Sequence, residues 1–437
     1  MLLRVAAVKA PRTHNRRRVT GSSGRRREGR ESEPQRPNMS RHLFYSALLL
    51  LIVVMMCDTG RAAQADVPAS GPGSSLGKHF VWMDKKKEET VSLLYAPSLL
   101  DVNGKVFAVA EAQCTENDKV STGIASKLLT LGKKQTKEEL DASKVKTQVL
   151  EECPSDKAKC ASQPEVHAVS QRETKLRVSR PTTVVQGNDI YMLVGKYSPT
   201  AATDQEDRGA EDCELLLVKG KAGGESSYSI IWGDTAGVPC VSTVEEEKVG
   251  STRLIGGGGS GVKMHDDTLV FPVQDVKEES GKTVSLLIYS LKDANTWTLS
   301  KGIPDGGCSD PSVVEWEDKK LMMMTACDDG RRRVYESDDK GESWTEALGT
   351  LSRVWGNKKG NVKGVRSGFI TAKIDDDEDN RNVMLVTLPV YPEEEDDKKE
   401  KGVLHLWLTD NTHIVDIGPV SDDDAAASSL LYRSGKK

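Results

Sequence analysis

The sequence predicts an all-β protein, and three observations carry that reading. Short apolar runs alternate with turn residues along most of the chain. Glycine is frequent, at 38 of 437 residues, and clusters in those turns. One turn, Ser337-Asp338-Asp339-Lys340-Gly341-Glu342-Ser343-Trp344, has the composition of a turn that closes on itself.

The runs follow in order. Residues 182–185 and 190–195 flank Gly187-Asn188, a good hairpin turn. Residues 215–218 pair with 227–232 across Gly223-Gly224, and 262–264 with 268–273 across His265-Asp266-Asp267. Residues 283–289, 320–325, 332–337, 383–388 and 403–408 continue the series, which suggests a sandwich or a propeller. Residues 136–151 have helical spacing and read as a short helix. Residues 393–401 are a charge run, read as a solvated loop.

Charge is unevenly placed. Residues 1–38 hold 11 Lys/Arg against 3 Asp/Glu, a net of +8; from Asp66 onward 48 basic and 62 acidic residues give −14. The acidic remainder argues against nucleic acid as a partner. The basic head precedes an apolar run at 43–56, too short to span a membrane comfortably but suited to a signal-peptide core. The head is then either an extended leader or translation upstream of a start at Met39. Ala63-Gln64-Ala65 suits cleavage, with an uncleaved anchor as the alternative. The expected organisation is a disordered basic extension at 1–38, a signal peptide at 39–65, a flexible leader at 66–80 and one β domain at 81–437. The expected location is the secretory pathway and the cell exterior or surface.

Loss of Cys57 with the leader leaves seven cysteines, an odd number. Cys153 and Cys160 are near in sequence and flank a polar loop, so they form the first candidate pair. No cysteine or histidine spacing suits zinc, and neither a metal nor a cofactor is expected.

The turn at 337–344 has the form of an Asp-box, Ser-x-Asp-x-Gly-x-Ser/Thr-Trp. Ser337 and Asp339 would bond backbone N–H groups, Gly341 would take a conformation other residues resist, and Ser343 and Trp344 complete the motif. A degraded copy spans Ser290 to Trp297. This motif marks a propeller blade rather than chemistry.

Further stretches carry a resemblance: Thr350-Leu351-Ser352-Arg353-Val354-Trp355-Gly356, Arg331-Arg332-Arg333-Val334-Tyr335-Glu336-Ser337, Phe271-Pro272-Val273-Gln274 and Leu406-Trp407-Leu408-Thr409-Asp410-Asn411. Between Tyr95 and Tyr432 the chain resembles the trypanosome trans-sialidase superfamily. It is most similar to the non-catalytic surface-glycoprotein branch, through Phe107-Ala108-Val109-Ala110-Glu111-Ala112-Gln113-Cys114 and Thr122-Gly123-Ile124-Ala125-Ser126. The resemblance implies a six-bladed sialidase-type β-propeller.

Active members, as the resemblance implies, transfer sialic acid between galactosides with a Tyr nucleophile, a Glu partner, an Asp acid/base and three carboxylate-gripping arginines. Carried over motif by motif, the first arginine is Tyr95, the second Ala326, and the third falls near Lys401. The Glu slot holds Asp310, in Cys308-Ser309-Asp310-Pro311, and the nucleophile slot holds Ala427. Asp118 aligns with the acid/base across a one-residue gap; Arg180 and Cys213 stand where active enzymes carry a substrate-contacting Asp and Trp. Asp118, Asp310 and Lys401 are therefore vestigial catalytic candidates.

The family pattern also implies further strand and a lectin-like sandwich beyond Lys437, so the expectation is an incomplete last blade, with no GPI signal. The expected function is an inactive surface or secreted adhesin or antigen that binds host-cell glycoproteins or extracellular matrix, with sialylated or galactosyl glycans as further partners. The alternatives are an active exo-α-sialidase or trans-sialidase, and a truncated product without function.

Overall fold

A computed structural model describes residues 4–5, 79–116, 119–130, 138–141, 144–153, 175–197, 215–223, 229–238, 254–277, 280–290, 297–355, 365–375, 380–391, 402–424 and 427–433. The chain divides into two units, residues 1–7 with 74–437, and residues 8–73. The first unit is all-β, with one short α-helix at Leu351–Trp355 among its described residues.

The sequence's short runs become antiparallel strands because alternate side chains are apolar and the intervening turns reverse the chain. Strand Lys175–Gln186 pairs with Asp189–Tyr197 across Gly187, whose φ of +61° fits the turn. Asp189–Tyr197 pairs with Leu215–Ala222, and that strand with Ile230–Gly237. Thr90–Val102, Lys105–Glu116, Lys119–Leu129 and Lys146–Cys153 precede them, and the whole runs as one ten-stranded sheet. A five-stranded sheet is built on Leu269–Val276 and Thr283–Ser290. Four-stranded sheets follow at Cys308–Glu315 to Thr345–Glu346 and at Phe369–Asp375 to Ile414–Asp424. The first eight main strands thus merge into one sheet rather than standing as separate four-stranded units, and these pairings do not fix a blade number.

One expectation is corrected. Part of the segment read as helical is strand Lys146–Cys153, which pairs with His79–Asp84 on one side and Lys119–Leu129 on the other. Val149 and Leu150 are both buried there, on opposite faces of the strand, so the sheet's two-sided burial overrode local spacing. A disulfide joins Cys308 and Cys327, which the sequence reading did not foresee. They face each other in the register of neighbouring strands with Cα atoms 3.9 Å apart. Cys160 lies outside the described residues, so the pairing of Cys153 with Cys160 does too; so do Cys213, residues 43–56 and the run at 393–401.

Packing is side chain to side chain, within the ten-stranded sheet and between the last two sheets. Phe107, Leu150, Met192, Val218 and Trp232 share one core, and Met322, Val334, Trp355, Phe369 and Met384 another. After the last sheet, residues 427–433 run between its first strand and strand Thr90–Val102 of the ten-stranded sheet. Ser429 Oγ accepts from Leu99 N–H at 3.2 Å, and Arg433 pairs with Asp101 at 2.6 Å. On the other side Ser428 Oγ accepts from Gly368 N–H at 3.2 Å, and Tyr432 OH donates to Lys373 O at 2.5 Å.

Candidate functional site

Three strands share a local device, two in the ten-stranded sheet and one in the first four-stranded sheet. Tyr95-Ala96-Pro97-Ser98, Ser179-Arg180-Pro181-Thr182 and Ser309-Asp310-Pro311-Ser312 each carry a register shift at the proline. Proline has no N–H for the ladder, so pairing breaks there and the strand bulges. The residue before each proline is left-handed: Ala96 at φ +45°, Arg180 at +50°, Asp310 at +50°. Proline ordinarily drives its predecessor to extended backbone, so three such positions are strained.

A glycine run closes the group. Gly258 and Gly259, at φ +77° and +74°, pass beside Ala96 and Arg180, and a Cβ on Gly258 would stand 3.0 Å from Ala96 Cβ. Hydroxyls after the prolines stitch the strands together. Ser98 and Thr183 oxygens lie 2.5 Å apart, Ser98 and Ser260 3.2 Å apart, and Gly258 N–H donates to Thr182 Oγ1 at 2.8 Å.

The bulges aim Arg180 and Asp310 at each other. Arg180 Nη1 donates to Asp310 Oδ1 at 3.2 Å and to Gln274 Oε1 at 3.1 Å. Gln274 Oε1 also accepts from Asp310 N–H at 3.1 Å, and Ser309 Oγ donates to Asp310 Oδ2 at 2.9 Å. Arg180 N–H donates to Glu111 Oε2 at 2.8 Å; burial pushes the Glu111 carboxyl above its ordinary range, against the pull of Arg180.

Two further arginines are almost completely buried. Arg332 Nη2 donates to Val365 O at 2.5 Å, while its Nε is buried without a partner. Arg366 Nη1 donates to Gly257 O, and its guanidinium lies flush against Gly259. Burial lowers both guanidinium pKa values to about 10, against the attraction of Asp310. Beside Arg366 lies a cavity of only about 10 Å³.

The positions expected from the sequence fall out as follows. Asp310 is in the cluster. Tyr95 is exposed on the strand beside it, its hydroxyl donating to Gln113 Oε1 at 3.3 Å. Ala326 is buried opposite Ser309 and next to Arg332 in the ladder. Ala427 is half-buried at the start of the terminal segment. Asp118 and Lys401 lie outside the described residues. Sequence reasoning did not single out Arg366, and it gave no site role to Glu111, Gln274 or Arg332, although all three sit in its motifs. The recurring proline followed by a hydroxyl residue points to Arg180 and Asp310, and these four lie outside that pattern.

The Asp-box closes as its residue types require. Ser337 Oγ accepts from Gly341 N–H at 2.7 Å, and Asp339 accepts from Ser343 N–H at 2.9 Å and Ser343 Oγ at 2.6 Å. Gly341 has φ +91°. The turn also ties neighbouring sheets: Trp344 Nε1 donates to Lys301 O at 3.0 Å, and Lys340 Nζ reaches Asp266 at 2.8 Å. It contributes no group to the cluster, so its role is structural.

Fold and turn together define an all-β protein with an Asp-box between the outer strands of a sheet. A family model described as a BNR repeat-like domain matches residues 96–437, and the chain belongs to that family, among the trypanosome sialidases and trans-sialidases. It is similar to a Trypanosoma cruzi sialidase, 37% identical over 268 residues covering 60% of this chain and 22% of the relative. Sialidase 85-1.1 of the same organism is 35% identical, over 59% of this chain and 34% of its own length. Among solved structures, a mutant of Trypanosoma rangeli sialidase displaying trans-sialidase activity gives a TM-score of 0.55 at 28% identity, covering 83% of this chain and 56% of the other. The T. rangeli sialidase in complex with sialic acid gives 0.56 at 27%, with 82% and 56% covered. The chain thus spans about a fifth to a third of these two curated relatives. Among the described residues, no helix is long and apolar enough to cross a membrane.

Proposed function

We propose that this chain is a non-catalytic member of the sialidase family, carried through the secretory pathway and used as a surface or secreted binding protein. The observation that carries this reading is the filled cluster. Where the resemblance implies a sugar site, Arg180 and Asp310 satisfy one another and Arg366 is buried with Nη1 donating to Gly257 O. Ala427 in the nucleophile slot supports it, because a methyl group forms no glycosyl bond. The family branch suggests host-cell glycoproteins or extracellular matrix as partners, with sialylated or galactosyl glycans beside them.

The test is purified 66–437 with a fluorogenic sialoside, with and without lactose as acceptor. The expected result is no release above a mock preparation, together with saturable binding to host-cell surfaces or laminin. Turnover would replace this reading with an active exo-α-sialidase or trans-sialidase, which the retained carboxylate of Asp310 favours. No turnover, no binding and no cooperative melt would point to a product without function.

A further inference from the structure

The sequence holds a single Asn-Gly step, Asn103-Gly104, and the fold puts it at the tip of a hairpin. Strand Thr90–Val102 turns into Lys105–Glu116 with Val102 opposite Lys105, so these two residues are the whole turn. Both are exposed, with φ of +53° and +79°. Those angles belong to the turn that Asn-Gly favours between antiparallel strands. Glycine after asparagine leaves the peptide nitrogen open to approach, because it carries no side chain.

Two charged groups stand at this turn. Asp101 Oδ1 accepts from Gly104 N–H at 2.8 Å, and Asp101 Oδ2 pairs with Arg433 Nε at 2.6 Å. Arg433 reaches over the turn: a Cβ on Gly104 would stand 3.6 Å from its Nη2. A carboxylate on an N–H draws on its proton, as a general base does. A guanidinium stabilises negative charge that develops on an amide oxygen near it. The turn thus presents a nitrogen with a base on it, a side-chain amide one residue back and a positive charge beside them.

We propose that Asn103 is a site of intramolecular deamidation, assisted by Asp101 and Arg433. The Gly104 nitrogen bonds to Asn103 Cγ and loses its proton through Asp101. The bond from Cγ to Nδ2 breaks, and that nitrogen takes the proton and leaves as ammonia. Water then opens the five-membered succinimide at either carbonyl, giving aspartate or isoaspartate at position 103. No oxidation or reduction occurs. Isoaspartate adds one methylene to the main chain, which a two-residue turn cannot absorb while Val102 faces Lys105. The product therefore loosens the contact of Asp101 with Arg433, which ties residues 427–433 to strand Thr90–Val102. The proposal does not depend on whether the chain turns over sialosides.

The experiment incubates the whole folded chain near neutral pH at body temperature and maps its peptides by mass against time. The peptide containing Asn103 should gain one mass unit, with equimolar ammonia released, and part of the product should accept methyl groups from a protein isoaspartyl methyltransferase. Asp101→Asn and Arg433→Met should each slow the gain by about tenfold. Should either variant melt well below the parent, a free peptide of residues 99–107 serves as the reference instead, and the folded chain should convert at least as fast. An unchanged mass in the folded chain, over a time in which the free peptide converts, would overturn the proposal. Equal rates in the parent and both folded variants would overturn the assistance by Asp101 and Arg433, and the proposal with it.

Discussion

Arg180 and Asp310 meet at 3.2 Å across two sheets, and each is a left-handed residue held in front of a proline. The left-handed backbone and the bulge at each proline set the direction in which the two side chains leave their strands. The pair is about a third and a fifth exposed, so its Coulomb energy is screened.

The first prediction separates strain from charge. Asp310→Ala and Asp310→Gly delete the same carboxylate, but glycine accepts φ +50° without cost. Asp310→Gly should be the more stable of the two by about 1 kcal/mol in urea unfolding. Equal stabilities would show that the left-handed backbone carries no strain. A double-mutant cycle with Arg180→Met should give a coupling of about 1 kcal/mol or less.

Gly341 in the Asp-box has φ +91°, and an added Cβ would stand 2.6 Å from Ser300 Cβ. Gly341→Ala should therefore cost about 2–3 kcal/mol, through both the backbone and the displaced neighbour. A loss below about 0.5 kcal/mol would mean that the turn is not closed in solution.

Asp339 gives a pH signature. The Ser343 hydroxyl, and then the Ser343 and Asp339 backbone N–H groups with the Ser337 hydroxyl, hold its carboxyl down at about 2. A carboxyl depressed in the folded state stabilises above its ordinary value, and that contribution is lost as pH falls toward 2. Asp339→Asn should flatten stability between about pH 4 and pH 2 relative to the parent. Parallel acid limbs in the two proteins would contradict this role.

The Cys308–Cys327 bridge closes a loop with a sequence separation of 19. By loop entropy its loss should cost about 3 kcal/mol, read as a lower urea midpoint for Cys308→Ser with Cys327→Ser. An unchanged midpoint under reducing conditions would mean the bridge does not form.

Cys114 is a buried free thiol with its pKa pushed up to about 11, mainly by burial. It should resist a thiol-specific disulfide reagent in the native protein and react on unfolding. Rapid native labelling at Cys114, located by peptide mapping, would refute its burial.

Much of this was legible in the chain because it depends on local periodicity. The hairpin at Gly187 and the closed turn from Ser337 to Trp344 follow from residue types within a few positions of each other. The strand at Lys146–Cys153 was not legible, because a short mixed run satisfies helix and strand alike until neighbouring strands bury both its faces. Arg366 gave no signal because its significance depends on Gly257 and Gly259, more than a hundred residues earlier.

The sequence by itself determined the all-β class and the Asp-box, since each is a matter of residue identity and near spacing. Only the tertiary structure decided that Cys308 joins Cys327, that Arg180 faces Asp310, and that Arg366 lies against the glycine run. Those contacts are set by strand register and by bulges at prolines, which bring together groups that the linear order keeps far apart.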